Sequence, residues 1–330
     1  MTKPSQKIAV IGGGAWGSAI ASSLASLGHD VGILTRRVDL AEALLKGVSP
    51  SLAAVPGDIA ITAPNRAGVE AKDIVAGCDA VMVAVPVSAT ETCLKEITPF
   101  LNPDCPVAFA AKGFVPGADD LIPRVAKTII DNPLVMFSGP SFADEVAKGL
   151  PAALVAASDD DQAAGQIATL FTGGAMRVYS SPDPIGVAVG GAVKNVIAIA
   201  SGITAGLGLG DNARAALMTR GLAEATRLAV AMGGQAETLF GLAGLGDMAL
   251  TCSGPHSRNF AFGLALGEGQ APSGKLAEGQ YSSAVIARRA AAEGVDMPIT
   301  QAVDRVVSGK ADLAEEIKSL LARPAAQEWR

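Results

Sequence analysis

The sequence predicts an α/β protein with a mostly parallel, doubly wound sheet in its first half and helices alone in its second. Three observations carry that expectation. Short apolar runs alternate with helical patterns as far as residue 181, a glycine-rich turn joins the first run to a helix, and no convincing strand follows Pro184. At 330 residues, 49% hydrophobic and 18% charged, the chain is long enough for two cores and too apolar for disorder. Its net charge of -6 argues against nucleic acid or an anionic membrane as a partner.

The first element, Lys7-Ile8-Ala9-Val10-Ile11, reads as a short buried strand and runs straight into Gly12-Gly13-Gly14-Ala15-Trp16-Gly17. Gly12, Gly14 and Gly17 fill the G-x-G-x-x-G positions. The first glycine permits a tight turn, the second lets backbone approach a pyrophosphate, and the third lets helix and strand pack closely. Ser18 to Leu27 continues as a small-residue helix ending at Gly28, and Val31 to Thr35 is the second strand. A structural turn is the alternative, but the full strand, turn, helix and strand favour dinucleotide binding. The N-terminal unit is thus expected to be a Rossmann domain.

A dinucleotide site for NAD usually places Asp or Glu after this second strand, whereas arginine suits the 2′-phosphate of NADP. The chain reads Thr35-Arg36-Arg37 there. Arg36 and Arg37 therefore favour NADP(H), with NAD(H) as the alternative cofactor.

Further strand-like runs lie at Ile59 to Thr62, Ala80 to Val85, Val107 to Ala111, Leu134 to Ser138, Ala152 to Ala157 and Met176 to Tyr179. Helical patterns occupy Ser88 to Ile97, Asp119 to Ile130 and Asp159 to Phe171. Ligands of open α/β sheets bind beyond the carboxyl ends of the strands, which singles out Lys112 after one strand and Gly139 and Ser141 after another. Lys112 could be an ordinary surface lysine. Ser141, followed by Asp144, could be a helix N-cap with a capping-box-like partner.

The character of the chain changes at Ser180-Ser181-Pro182-Asp183-Pro184, so residues 1–181 are expected to form the sheet domain and 182–330 an all-helical one. Asn212 to Met232 is the clearest helix of the second part, and the tail from Ala322 to Arg330 is expected to lie loose. Between Pro184 and Gly210 the only charge is Lys194, with Asn195 beside it. An ammonium within an apolar helix is costly to desolvate, so it either snorkels to water or is used. The sequence makes Lys194 the candidate catalytic acid/base. A membrane span is rejected, because a central lysine costs roughly 2.5 to 3.5 kcal/mol on insertion.

Farther along, Gly244-Leu245-Gly246-Asp247 leads to Thr251; if this stretch is helical, Asp247 and Thr251 share a face and the carboxylate becomes a partner for Lys194. Capping a helix is the alternative role for Asp247. Ser257-Arg258-Asn259 resembles a helix start carrying a fork-shaped cation suited to phosphate. Cys78, Cys93, Cys105 and Cys252 have no metal-ligand spacing and the two histidines, His29 and His256, lie far apart, so no metal is expected. Reduced thiols and the absence of a secretory h-region at the N-terminus fit a cytoplasmic location.

As an ordered set, these residues resemble the bacterial NAD(P)-dependent glycerol-3-phosphate dehydrogenase family. The resemblance spans most of the chain, through Ala111-Lys112-Gly113, Ser138-Gly139-Pro140-Ser141-Phe142, Gly190-Gly191-Ala192-Val193-Lys194-Asn195-Val196, Gly244-Leu245-Gly246-Asp247, Ser257-Arg258-Asn259 and Ala277-Glu278-Gly279. It implies an N-terminal Rossmann doubly wound sheet with an all-helical C-terminal domain, a site at their junction, and supply of sn-glycerol 3-phosphate for phospholipid synthesis. It further implies Lys194 as proton donor and acceptor, assisted by Asp247, Lys112 and Thr251. Arg258 and Asn259 would hold the substrate phosphate, with Ser257, Gly139 and Ser141 nearby, and Ala15, Trp16, Arg36, Lys112, Ala143, Arg258 and Glu278 would contact the cofactor. The expected partner is a small phosphorylated substrate; the sequence leaves the assembly open, a homodimer being one option. Another two-domain ketone or hydroxyacid reductase is the competing enzyme, and a non-catalytic NADP-binding redox sensor the competing class. A sensor would not need the Lys194 and Asp247 pair.

Overall fold

In the computed structural model, which describes residues 4–52, 59–271 and 277–323, an eight-stranded sheet organises the N-terminal half. The strands are β1 (Lys7–Ile11), β2 (Asp30–Leu34), β3 (Arg66–Gly68), β4 (Ala80–Val83), β5 (Val107–Phe109), β6 (Phe114–Val115), β7 (Asp120–Leu121), β8 (Leu134–Ser138), β9 (Ala152–Ala157) and β10 (Met176–Ser181). Across the sheet they run β10-β9-β8-β5-β4-β1-β2-β3, all neighbours parallel except β8 and β9, while β6 and β7 form a separate antiparallel hairpin. The connecting helices are α1 (Ala15–Ser26), α2 (Val38–Leu45), α3 (Ala71–Val75), α4 (Thr90–Ile97), α5 (Ile122–Ala126), α6 (Ala143–Ala147) and α7 (Asp161–Leu170).

Because helices cover both faces, the central strands are apolar throughout rather than alternating with polar residues. Ile8 and Val10 pack against α1 and α7, while Ala9 and Ile11 point the other way, towards α3, α4 and α5. The second of these layers continues into the helical half without a break.

That half comprises α8 (Pro184–Gly206), α9 (Gly210–Ala231), α10 (Ala236–Leu239), α11 (Asp247–Cys252), α12 (Arg258–Gly267), α13 (Glu278–Ala292), α14 (Pro298–Val307) and α15 (Leu313–Leu321). The axis of the group is α8. Pro184 occupies its first turn, and Asp183 caps it: one carboxylate oxygen accepts from Gly186 N at 2.7 Å and the other from Gln235 N at 2.8 Å. Small residues bring α12 against α8 at backbone distance. A Cβ on Gly202 would lie 2.1 Å from the Phe260 carbonyl oxygen, and one on Gly263 2.0 Å from that of Ile199. By length and composition α8 could cross a membrane, but 94% of its apolar window is buried inside the protein.

Several sequence expectations need correction. Ile59 to Thr62 is not a strand: Ala60 makes one isolated bridge to Val48, and the third strand is β3 instead. Ile59 and Ile61 are buried because they pack as a loop on the α1 side of the sheet, with Thr62 N donating to Ser22 Oγ at 2.9 Å. Asp119 to Ile130 is not one helix. Asp119 sits at φ +49° in the hairpin, and Pro123 in the first turn of α5 fixes a later start, so the helix covers only Ile122–Ala126. Helix α1 begins at Ala15, inside the glycine motif, rather than at Ser18. Ser141 is not a cap: the residue before α6 is Phe142, and Ser141 Oγ donates to Gly139 O at 3.1 Å. Of the expected loose tail, residues 324–330 lie outside the described residues.

Candidate functional site

The glycine turn sits between β1 and α1, and each glycine has a separate geometric reason. Gly12 adopts φ +112°, and a Cβ there would lie 2.9 Å from Ala84 O; one on Gly17 would lie 1.9 Å from Gly12 O. A Cβ on Gly14, by contrast, would meet nothing within 4 Å. Gly14 also precedes α1 with no side-chain cap, so the first N–H groups of the helix receive no acceptor from the cap residue's side chain. This is a cradle for an anion, and it fits the pyrophosphate of a dinucleotide. Trp16 stacks towards Phe137 with ring centroids 6.5 Å apart, and Ala143 at the head of α6 is packed into the same apolar layer.

Arg36 and Arg37 are exposed just after β2, whereas Thr35 is buried. Arg37 Nε donates to Asp39 Oδ1 at 3.0 Å and its terminal nitrogen bonds the other carboxylate oxygen. The two arginines are therefore accompanied by an acid two residues after Arg37.

Two lysines and an aspartate meet where β5, α8 and α11 come together. Asp247, 2% exposed in its side chain, receives Lys194 Nζ on Oδ1 at 2.5 Å and Lys112 Nζ on Oδ2 at 2.6 Å. Thr251, one turn after Asp247, accepts from Lys194 Nζ at 3.0 Å and donates to Asp247 O at 2.6 Å. Lys112 also donates to Gly139 O at 3.2 Å. Its stem reaches across α8 over Gly191, where a Cβ would stand 3.2 Å from Lys112 Cγ. Burial lowers the Lys194 ammonium to about 8; Asp247 opposes that shift and Lys112 reinforces it. Burial pushes the Asp247 carboxyl upward, but the two ammoniums outweigh it and hold the group below its usual range.

Beside this cluster runs a second chain of contacts that the sequence did not disclose. Asn195, the residue after Lys194, accepts from Asn259 Nδ2 at 3.0 Å and donates to Glu278 Oε2 at 3.5 Å, while Asn259 Oδ1 accepts from Gly279 N at 2.9 Å. Asn259 and Glu278, expected at substrate and cofactor, thus also tie α12 and α13 to α8. The adjacency of Lys194 and Asn195 was the available signal for Asn195. Ser257 caps α12, its Oγ accepting from Phe260 N at 3.3 Å, and Arg258 is exposed on the first turn. Among the described residues Arg258 makes no hydrogen bond or ion pair, so its guanidinium is available to a ligand. Arg36 and Arg37 lie apart from the lysine cluster, at the end of β2.

The chain matches two family models, "NAD-dependent glycerol-3-phosphate dehydrogenase N-terminus" over residues 7–164 and "NAD-dependent glycerol-3-phosphate dehydrogenase C-terminus" over 183–318. It is 43% identical over 328 residues to a glycerol-3-phosphate dehydrogenase [NAD(P)+] of Agrobacterium fabrum, covering 98% of this chain and 99% of that protein. A protein of the same name from Methylobacterium radiotolerans is 44% identical over 323 residues, 96% of each chain. The crystal structure of glycerol-3-phosphate dehydrogenase from Coxiella burnetii superposes with a TM-score of 0.89 at 36% identity, covering 97% of this chain and 99% of that one.

Proposed function

Because this chain belongs to the NAD-dependent glycerol-3-phosphate dehydrogenase family, we propose that it reduces dihydroxyacetone phosphate reversibly to sn-glycerol 3-phosphate with NAD(P)H. The observation that carries the reading is the buried carboxylate of Asp247 shared by a buried and a partly buried ammonium at the junction of sheet and helices.

The glycine cradle, with Ala15, Trp16 and Ala143 around it, would hold the cofactor, and Arg36 and Arg37 its ribose end. Bound there, the cofactor supplies a hydride to the substrate carbonyl. Lys194 holds the proton that the carbonyl oxygen needs as it becomes a hydroxyl, and an ammonium at about 8 releases it readily near neutral pH. Asp247 keeps that proton on Lys194 until it is required. Two ammoniums against one carboxylate leave a net positive charge in a site shielded from water, which favours the oxygen as it gains negative charge. Thr251 fixes the direction of the Lys194 side chain. Arg258, on the first turn of α12, suits bidentate pairing with the substrate phosphate, opposite Gly139 and Ser141. In the oxidative direction a neutral Lys194 takes the proton back.

The same reading places the domain boundary between residues 181 and 182, makes the chain cytoplasmic, and makes it a source of glycerol phosphate for glycerophospholipid synthesis. The test is the loss of NADPH absorbance when protein, NADPH and dihydroxyacetone phosphate are mixed, set against a panel of unphosphorylated ketones and 2-oxo acids. Turnover confined to the phosphorylated ketone supports the assignment. Preference for a 2-oxo acid, or no turnover at all, overturns it in favour of another reductase or a sensor.

A further inference from the structure

His256 makes two contacts with the segment that leaves β8. Its ring lies over that of Phe142, centroids 3.9 Å apart and planes 13° from parallel, and its Nε2 is 3.0 Å from Asp144 Oδ1. Phe142 and Asp144 belong to the segment leaving β8, whereas His256 belongs to the turn entering α12. The contact joins residues 112 apart in sequence. On one side Phe142 directly follows Ser141; on the other His256 directly precedes Ser257, Arg258 and Asn259. The two segments assigned to the phosphate are therefore pinned together at this point.

We propose that Phe142, His256 and Asp144 form a clasp that sets the spacing of the two phosphate-facing segments, which makes His256 a positioning residue for the phosphorylated substrate. This rests on the proposed function for the identity of that substrate. The side chain of His256 is 48% exposed, so it adds little to the core, but that of Asp144 is 12% exposed and, among the described residues, has only Lys148, at 3.5 Å, as another charged partner. Removing the imidazole leaves that carboxylate with one distant cation and leaves Phe142 without its stacked ring, so the turn before α12 loses its fixed position. Lys194 and Asp247 are held by a separate set of bonds, and Lys112, which shares the Gly139 carbonyl with the clasped segment, is also held by Asp247 at 2.6 Å. The clasp should thus act on substrate affinity and not on the chemical step.

The experiment compares wild type with His256→Ala, His256→Phe, His256→Gln and Phe142→Leu. It measures KM and kcat for dihydroxyacetone phosphate, the dissociation constant of that ketone phosphate by calorimetry, and the dissociation constant of NADPH. His256→Ala should raise KM and the ketone-phosphate dissociation constant by about ten-fold, with kcat at saturation and NADPH affinity within about two-fold. His256→Phe, which keeps the stacked ring, and His256→Gln, which keeps a hydrogen-bond donor, should each recover part of the loss. The clasp is refuted if both His256→Ala and Phe142→Leu bind the ketone phosphate as wild type does. It is also refuted if kcat and NADPH affinity fall together with ketone affinity in the two conservative variants, since that pattern marks general structural damage. Wild type that binds the ketone phosphate without turning it over removes the enzymatic reading and leaves the clasp to be judged by calorimetry; wild type that does not bind it overturns both.

Discussion

Lys112 and Lys194 share one carboxylate, their ammonium nitrogens resting on opposite oxygens of Asp247 at 2.6 and 2.5 Å. The first lysine comes from the loop after β5 and the second from the middle of α8, so the sheet and the helical half each contribute one cation to a single anion. The anion itself comes from the helical half, so the sheet half could not bury Lys112 here alone without an uncompensated charge. The arrangement also explains the lowered ammonium of Lys194: burial favours its neutral form, and Lys112 adds repulsion that Asp247 offsets only in part.

Lys194 is expected to act through its proton. Lys194→Met should lower kcat by roughly 10²- to 10⁴-fold and leave NADPH affinity within a few fold. With the group at about 8 rather than 10.5, it is charged below that pH and neutral above it. Reduction of the ketone needs the charged form and should decline as pH rises through about 8, while oxidation of the alcohol needs the neutral form and should rise through the same interval. Rate profiles that run parallel in the two directions would remove Lys194 from the proton transfer.

Arg258 tests the substrate class. A guanidinium pairs with two phosphate oxygens and gains nothing from a neutral ketone, so Arg258→Ala should cost kcat/KM by about 10²-fold or more for dihydroxyacetone phosphate and little for dihydroxyacetone. NADPH binding is measured in the same variant and any loss there subtracted. A preference for the phosphorylated ketone that survives the correction would disprove the phosphate role.

Replacing Arg36 and Arg37 together with neutral residues should weaken NADPH by about 1.5 to 3 kcal/mol per lost charged hydrogen bond and barely change NADH. Asp39→Ala should move the preference the other way, because it frees Arg37 from its present partner. Equilibrium titration with both cofactors decides; equal losses for the two would point to damage to the fold around β2.

Two glycines in helices should respond in opposite directions to the same substitution. Gly263→Ala would place a methyl 2.0 Å from a backbone oxygen of α8, forcing the helices apart, and should destabilise the protein by about 2 kcal/mol even after the gain in helix propensity. At Gly165 in α7 a methyl would meet nothing within 4 Å, so Gly165→Ala should stabilise by about 0.5 to 1 kcal/mol. Denaturant midpoints of the two variants provide the comparison; a stabilised Gly263→Ala would contradict the tight approach of α12 to α8.

What the sequence disclosed was what local backbone chemistry demands. Gly12, Gly14 and Gly17 announce their turn because no other residue tolerates the φ of the first or the contacts of the third. Lys194 stood out because a charge inside an apolar helix needs a reason. The misread elements are those where burial mimicked periodicity: Ile59 and Ile61 alternate like a strand but are held by loop packing, and the helical pattern from Asp119 onward conceals a left-handed residue and a hairpin. The contacts of Asn195 with Asn259 and Glu278, and of His256 with Asp144, join residues 64, 83 and 112 apart. Amide and imidazole side chains are common on any surface, and only the folded chain shows which of them meet.

The apolar layer that runs unbroken from Ala9, Ile11, Val83 and Phe109 of the sheet into Val189, Val193 and Ile197 of α8 has a consequence for cooperativity. A seam of that kind offers no plane along which the two halves could swing apart without wetting their common interior. They should melt as one thermodynamic unit, with calorimetric and van't Hoff enthalpies in agreement, despite matching two separate family models. Ligand entry must then be served by small displacements at the rim, while the interior that holds Lys194 stays still.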